Sequence, residues 1–334
     1  MREELILDRI VRAARRRPRT AGLIQGPGDD AAILRLPSRH DCVISTDNFN
    51  EGTHFLARLH TAEAIGNKAL ARALSDLAAM GAEPRFFLLG LTLPRARTGA
   101  WLDGLLRGVQ RAARRFGVTP AGGDTSRAAS GSGASISVTV MGRVPAGGAV
   151  LRSGARPGDT LFVSGTLGAA QLGLELLLAG ARRAQGLNRS LFRRHLFPQP
   201  RLALGQWLAA RGLVSAMMDV SDGLSTDLAR LCRASGVRAR LDADSRQWPG
   251  VRVPPALARR FPALRDPLRL ALHGGDDYEL LFTAPARLAR RIPRAFRGVR
   301  LTPIGRILQG RGVEVRDAAG RSRPLPEQGW DPFA

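Results

Sequence analysis

The sequence predicts a mixed α/β protein built as two domains, and three observations carry that prediction. Its 334 residues exceed the roughly 100 to 200 that one domain usually holds. Short apolar strands alternate with amphipathic helices along the chain, with no all-helical or all-strand block. Near the middle, the Gly- and Pro-rich stretch PAGGAVLRSGARPGD at 145–159 interrupts that alternation. The boundary is drawn there, giving an N-terminal domain at 1–148 and a C-terminal domain at 149–334.

The opening MREELILDRIVRAARRRPR puts charges where a secretory leader needs an apolar stretch, and reads as an amphipathic helix. Residues 41–47 (DCVISTD) read as a strand, 62–80 as a helix, 86–93 (FFLLGLTL) as a strand and 100–116 as a helix. Strict alternation in ASISVTVMGRV, 134–144, marks another strand, preceded by the small-residue loop AASGSGAS. In the second half TLFVSG reads as a strand leading to a helix at about 168–180, then an Arg-rich polar segment at 181–195 and a helix at about 200–211. MMDVSDGLSTDLARLCRASG reads as a short apolar strand that ends in acids and feeds a helix. GGDDYELLFTAP, 274–285, is a loop entering a strand, and the tail after 308 reads as less regular.

Composition excludes several classes. Cys42 and Cys232 are far apart and in no CxxC pair, which argues against zinc ribbons and disulfide frameworks and for a reducing, cytoplasmic compartment. No apolar run approaches the roughly 18 residues of a membrane span, so no membrane role is expected. The net charge of +23 raises the question of nucleic acid. Yet Lys68 is the only lysine, the arginines are scattered over many segments, and aromatics are 5% of the chain. That pattern follows codon composition better than a ligand, and no dedicated nucleic-acid role is expected.

The acids are more informative. Nine of the 19 aspartates, Asp29, Asp30, Asp47, Asp76, Asp124, Asp219, Asp222, Asp276 and Asp277, lie in the short motifs GPGDDAA, STD, LSDLAAMG, AGGDTS, DVSDG and GGDDYE. Short carboxylates at strand ends suit hard cations, and adjacent glycines let main-chain N–H groups approach phosphates. Plain turns would also explain GPGDD and GGDD, and Asp222 competes with Ser225 as a helix cap. Asp76 is harder to explain away, because it interrupts an apolar helix and needs a partner if buried. His54 reads by itself as a surface or satisfied imidazole, and Trp330 as a core-sealing ring or one that stacks on a flat ligand. There is no Walker A string, no GxGxxG after a strand, no GxSxG and no HExxH.

In order, GPGDDAAIL, STDNFNEGTHF, IGNKALARALSDLAAMGAEP, AGGDTS, LRSGARPGD, PQPRLALGQWLA, MDVSDGLSTDL, GGDDYELLFT and GWDPF resemble the thiamine-monophosphate kinases, of the aminoimidazole ribonucleotide synthetase-like superfamily. The resemblance implies two α/β domains, with N-terminal domains pairing into a β-barrel across a homodimer. It implies ATP-dependent phosphorylation of thiamine monophosphate to thiamine diphosphate, assisted by several Mg²⁺ ions. Matched by motif position, Asp30, Ser45, Thr46, Asp47, Asp76, Asp124, Asp219 and Asp222 correspond to metal ligands. Gly123, Asp124, Arg152 and Ser221 correspond to ATP contacts, and His54, Asp276 and Trp330 to substrate contacts.

This chain departs from the family pattern at GGDD, where the family often has GGED, and at Ala73, Asn48, Phe49, Asn50 and Pro332. These departures lie nearer the substrate than the metals. The alternatives are a related kinase or synthetase acting on another phosphorylated acceptor, or a basic nucleic-acid-binding protein that keeps the fold.

Overall fold

The computed structural model describes residues 23–25, 33–34, 37–180, 190–243, 248–317 and 319–331. The first helix expected at the N-terminus, and the GPGDD motif with Asp29 and Asp30, lie outside the described residues. The chain forms two compact units, Met1–Leu77 with Ala82–Gly148, and Ala78–Gly81 with Ala149–Ala334.

In the first unit the described elements are β1 (His40–Asn50), α1 (Ala62–Ala79), β2 (Glu83–Leu93), α2 (Ala100–Phe116), β3 (Thr119–Arg127) and β4 (Ser135–Pro145), besides a small ribbon pairing Leu23–Gln25 with Ile33–Leu34. The four-stranded sheet has the order β1-β4-β2-β3; β2 and β3 are parallel and the other pairs antiparallel. Alternation on β1 and β4 sorts the two faces. Val43, Phe49, Ile136, Val138 and Val140 are buried, while Ile44 is 61% exposed and Thr46 lies across from Thr139 on the same open face.

Helix α1 buries Ile65, Leu70, Leu74 and Leu77, an apolar surface too broad for a solvent-facing helix. It meets α2 backbone to backbone, since a Cβ on Gly66 would lie 2.1 Å from the Leu105 oxygen and one on Gly108 2.0 Å from the Glu63 oxygen. Helix α2 ends on Gly117, whose φ of +69° supplies the left-handed cap.

The second unit contains β5 (Thr160–Ser164), α3 (Ala169–Leu178), α4 (Ser190–Leu196), α5 (Leu202–Ala210), β6 (Ala216–Val220), α6 (Leu224–Ser235), β7 (Arg238–Asp242), α7 (Pro267–His273), β8 (Glu279–Ala284), β9 (Val299–Leu308), β10 (Gly312–Arg316) and β11 (Ser322–Pro324). Its sheet runs β11-β10-β7-β9-β5-β8-β6, with only β7 and β10 parallel among these pairs. Every residue of β6 and β8 is buried, which is why both read as continuous apolar runs without alternation. Leu161, Val163, Met218, Val220, Leu228, Leu231, Leu281 and Ile304 belong to the core. The tail differs from its irregular reading, because β10 and β11 continue the sheet. Their charged alternate residues, Glu314 and Arg316 among them, hide the two-residue period of Val313 and Val315. Among the described residues no helix is long and apolar enough to cross a membrane.

Candidate functional site

In the first unit, Ser45 and Asp47 project from the buried face of β1, two residues apart, toward α1. Helix α1 offers Arg72 and Asp76 at an i, i+4 spacing, one above the other on one face. The Ser45 hydroxyl donates to Asp76 Oδ2 at 2.5 Å, and Asp47 Oδ2 lies 3.6 Å from Arg72 Nε. The half-buried Asp76 therefore has the partner its place in an apolar helix demanded. Arg72 also sits 5.1 Å above the Phe49 ring, which fixes the guanidinium beside this acidic pair.

Thr46 faces the other way, its hydroxyl 3.0 Å from that of Thr139 on the open face. His54 is half-buried in a tight turn, accepting the Asn50 N–H at Nδ1 at 3.0 Å. Asp124 is exposed on β3, the opposite edge strand from β1. Three strand spacings, about 14 Å, separate them, so Asp124 is not brought beside Ser45 and Asp76 within this unit. Its neighbour Gly123 is required by close approach, since a Cβ there would lie 2.0 Å from the Leu89 oxygen.

In the second unit Asp219 is the penultimate residue of the buried strand β6, and Ser221, Asp222 and Gly223 form the turn into α6. Gly223 has φ +112°, a conformation that excludes side chains. Neither Asp222 nor Ser225 caps α6; Gly223 is the N-cap residue, without a side-chain bond. The turn is held by Asp227, a residue the sequence reading did not single out. Its Oδ2 accepts the N–H groups of Ser221, Asp222 and Gly223 at 3.0, 3.0 and 3.1 Å. Burial, reinforced by the nearby Asp222 charge, pushes the Asp227 carboxyl up to about 7, against the pull of Arg230 and the N–H bonds. Arg230 pairs with both Asp222 and Asp227, tying the partly exposed carboxylate to the buried one.

Two distant segments close on this turn. The Asp276 N–H donates to the Ser221 oxygen at 2.7 Å, and the Trp330 N–H to the Asp222 oxygen at 2.8 Å. Trp330 is 46% exposed, so it is not the core seal that its lone aromatic character suggested. The paired aspartates of GGDD diverge. Asp276 stays partly exposed, whereas buried Asp277 accepts the N–H groups of Gly168 and Ala170 at 2.5 and 3.0 Å, at the start of α3. Burial pushes the Asp277 carboxyl up to about 7. Arg152 is exposed, and its carbonyl accepts the Ser235 hydroxyl at 2.8 Å.

A further cluster escaped sequence reading. Glu279, 1% exposed, accepts Arg201 Nε at 2.6 Å and the Ser164 hydroxyl at 2.6 Å. The available signal was a lone carboxylate opening the apolar run ELLFTA.

The structure thus gathers Ser45, Asp47 and Asp76 in one unit and Asp219, Ser221, Asp222, Asp276 and Trp330 in the other. The donors are carboxylate and hydroxyl oxygens with no sulfur, a set that fits a hard divalent cation. Among the described residues no three His, Cys, Asp or Glu side chains form a preformed metal cage. Mg²⁺ does not require one, since it commonly uses one or two carboxylates with waters and substrate phosphates.

Comparison with known proteins places these residues in a family. Residues 28–144 match the N-terminal domain and 156–318 the C-terminal domain of the AIR synthase related proteins. Thiamine-monophosphate kinase of Salmonella typhimurium is 38% identical over 320 residues, covering 92% of each chain. The crystal structure of thiamine-monophosphate kinase from Stenotrophomonas maltophilia superimposes with a TM-score of 0.79 at 40% identity, over 94% of this chain and 96% of that one. AaThiL complexed with AMPPCP and TMP has a TM-score of 0.75 at 31% identity, over 99% and 98%. A hydrogenase maturation protein from E. coli, 22% identical with a TM-score of 0.76, shares the fold alone. With two-domain coverage and identity well above that level, the chain belongs to the thiamine-monophosphate kinase family of AIR synthase related proteins.

Proposed function

We propose that this chain transfers the γ-phosphoryl group of ATP to thiamine monophosphate, releasing ADP and thiamine diphosphate. The observation that carries the reading is the convergence of the Asp276 and Trp330 segments on the Ser221–Asp222 turn. It sets the partly exposed Asp276 carboxylate and the exposed Trp330 ring beside the turn that carries Asp222. The complex of AaThiL with AMPPCP and TMP supports the same pair of ligands by kinship.

The acceptor is itself a phosphate, with a second pKa near 6, so at neutral pH it is mostly a dianion and needs no general base. One of its oxygens attacks the γ-phosphorus as the bond to the β,γ-bridging oxygen breaks and that electron pair leaves with ADP. The obstacle is the approach of two polyanions. Asp30, Ser45, Thr46, Asp47, Asp76, Asp124, Asp219 and Asp222 would hold several Mg²⁺ ions, Asp124 on a different ion from Ser45 and Asp76 and Thr46 through its carbonyl, because its side chain faces the open side of the sheet. Bound Mg²⁺ supplies charge neutralisation and alignment of the phosphates.

Gly123, Asp124, Arg152 and Ser221 would meet ATP, Gly123 through its main chain, since the side on which a Cβ would stand is filled by the Leu89 oxygen. His54, Asp276 and Trp330 would meet the acceptor, Trp330 by stacking and Asp276 by facing its cationic or amino-bearing portion. The N-terminal unit would carry ATP and Mg²⁺ binding and the dimer contact, the C-terminal unit would complete the nucleotide and substrate site, and two copies would pair their open sheet faces, where Ile44 is exposed, into a β-barrel. The enzyme works in the cytoplasm, where Cys42 and Cys232 remain thiols.

ADP release assayed with thiamine monophosphate, thiamine and no acceptor tests the reading. Turnover with the monophosphate alone is the expected result. Turnover confined to another phosphorylated acceptor would transfer the activity to a sibling reaction, a reading that the shorter Asp276 keeps in view.

A further inference from the structure

Asp276 is backed on both of its oxygens, one by a hydrogen bond and the other by a neighbouring imidazole. The Tyr278 hydroxyl donates to Asp276 Oδ1 at 2.8 Å, and His195 Nδ1 faces Oδ2 at 3.7 Å. Tyr278 and His195 are 3% and 2% exposed, whereas the Asp276 side chain is 29% exposed. The carboxylate is therefore closed on its inner side and open on the other. We propose that Tyr278 and His195 are positioning residues, which fix the direction in which Asp276 meets the acceptor.

The backbone shows how this arrangement is built. Asp276 and Tyr278 both have positive φ, +68° and +49°, a conformation that disfavours side chains and marks a bulky residue such as tyrosine as an outlier. Their N–H groups are bonded to the oxygens of Ser221 and Val220, at 2.7 and 2.8 Å, and Asp277 between them is anchored on the start of α3. Three attachments on consecutive residues hold the strained loop. They turn residues 276 and 278 toward each other and residue 277 the opposite way. Helix α4 then delivers His195 to the second oxygen.

An aspartate has a shorter reach than glutamate, so its usefulness to a bound cation or amine depends on where its two oxygens point. A donor on one oxygen and an imidazole against the other leave a single orientation. This inference rests on the proposed role of Asp276 toward the acceptor, and the test separates the two.

Calorimetric titration of thiamine monophosphate and, separately, of a non-hydrolysable ATP analogue is made on wild type, Tyr278→Phe, His195→Gln, Asp276→Asn and Tyr278→Phe/Asp276→Asn. Tyr278→Phe deletes only the hydroxyl, and is expected to weaken thiamine monophosphate about tenfold with the ATP analogue unchanged. His195→Gln moves the same affinity in the same direction. In the Asp276→Asn background Tyr278→Phe adds nothing, because its effect runs through the carboxylate. Unchanged affinity in both Tyr278→Phe and His195→Gln, or the full tenfold effect persisting without the carboxylate, overturns the positioning role. Equal losses for both ligands assign Tyr278 to general structure and overturn it too. Wild type that takes the nucleotide and ignores thiamine monophosphate sinks the acceptor reading itself. Asp276→Asn that binds the monophosphate normally removes only Asp276 from it.

Discussion

Gly329 lies so close to Asp222 that a Cβ there would sit 2.2 Å from the Asp222 oxygen and 2.6 Å from the Thr226 hydroxyl. The same Asp222 oxygen accepts the Trp330 N–H, so the glycine is what lets the aromatic ring reach the turn. Gly329→Ala is expected to lift Trp330 away, raising KM for thiamine monophosphate about tenfold while KM for ATP moves little. Steady-state kinetics with each substrate varied checks this, and an unchanged KM for the acceptor would disconnect Trp330 from it.

Arg201 and the buried Glu279 form an ion pair, and with only the more exposed Arg194 3.7 Å away as a second cation, removing one partner leaves the other poorly compensated. Glu279→Gln or Arg201→Met should cost about 3–5 kcal/mol, and the double replacement by apolar residues of similar volume much less. Urea unfolding of the single and double variants measures the coupling. Additive losses would mean that the two charges are solvated independently.

Asp277 and Asp227, both pushed up to about 7 by burial, give the pH dependence of stability the same sign, and Asp277 serves as the test. Its folded-state carboxyl is raised to about 7, above the usual value near 3.8, so between those limits the folded protein binds the proton that the unfolded chain releases. The contribution is fully present below the unfolded value and is lost as pH rises through 7. Stability should therefore fall from pH 5 to pH 8 with a slope of up to about 1.4 kcal/mol per unit from this group, and Asp277→Asn should flatten that part of the profile. Denaturant midpoints across the range decide it; an identical slope in the variant would remove Asp277 as the source.

These residues also show what the sequence made legible. Asp76 stood out because a carboxylate inside an apolar helix needs a partner, and Ser45 is that partner. The mixed α/β alternation located β1, α1, β2, α2 and β4 to within a few residues, since the three strands and α2 each have one buried face and α1 is apolar nearly all round. Asp227 stayed hidden because its acceptors are main-chain N–H groups of the preceding turn, which leave no side-chain pattern. Glu279 and Arg201 are 78 residues apart, and no local rule links them. The two aspartates of GGDD read alike in sequence, and only the backbone geometry sends one toward solvent and the other to the start of α3.

The two cysteines should behave oppositely. Cys232 is 1% exposed, and burial pushes its thiol up to about 12, whereas Cys42 lies on the exposed side of β1 with Ile44. With a disulfide reagent at pH 8, Cys232 should react only after unfolding. If two copies pair as proposed, Cys42 should react more slowly in wild type than in Ile44→Asp, and Ile44→Asp should elute as a monomer. Equal rates and equal elution volumes would argue against that pairing.

Ser45 and Asp76 give the sharpest test of the metal reading, because the pair can be dismantled from either side. Asp76→Asn keeps the volume and an acceptor for the Ser45 hydroxyl while removing the charge, so folding should change by about 1 kcal/mol or less. A carboxylate that holds Mg²⁺ near the phosphates should, by contrast, cost at least about 100-fold in kcat and raise the Mg²⁺ concentration for half-maximal rate. Ser45→Ala leaves the charge in place and should cost less, about tenfold, with the same direction in Mg²⁺ dependence. Rates measured against Mg²⁺ at saturating ATP, alongside thermal unfolding of each variant, separate the two roles. If Asp76→Asn lowers Tm by many degrees and leaves the Mg²⁺ curve unshifted, the pair is a packing device and the metal ligands lie elsewhere.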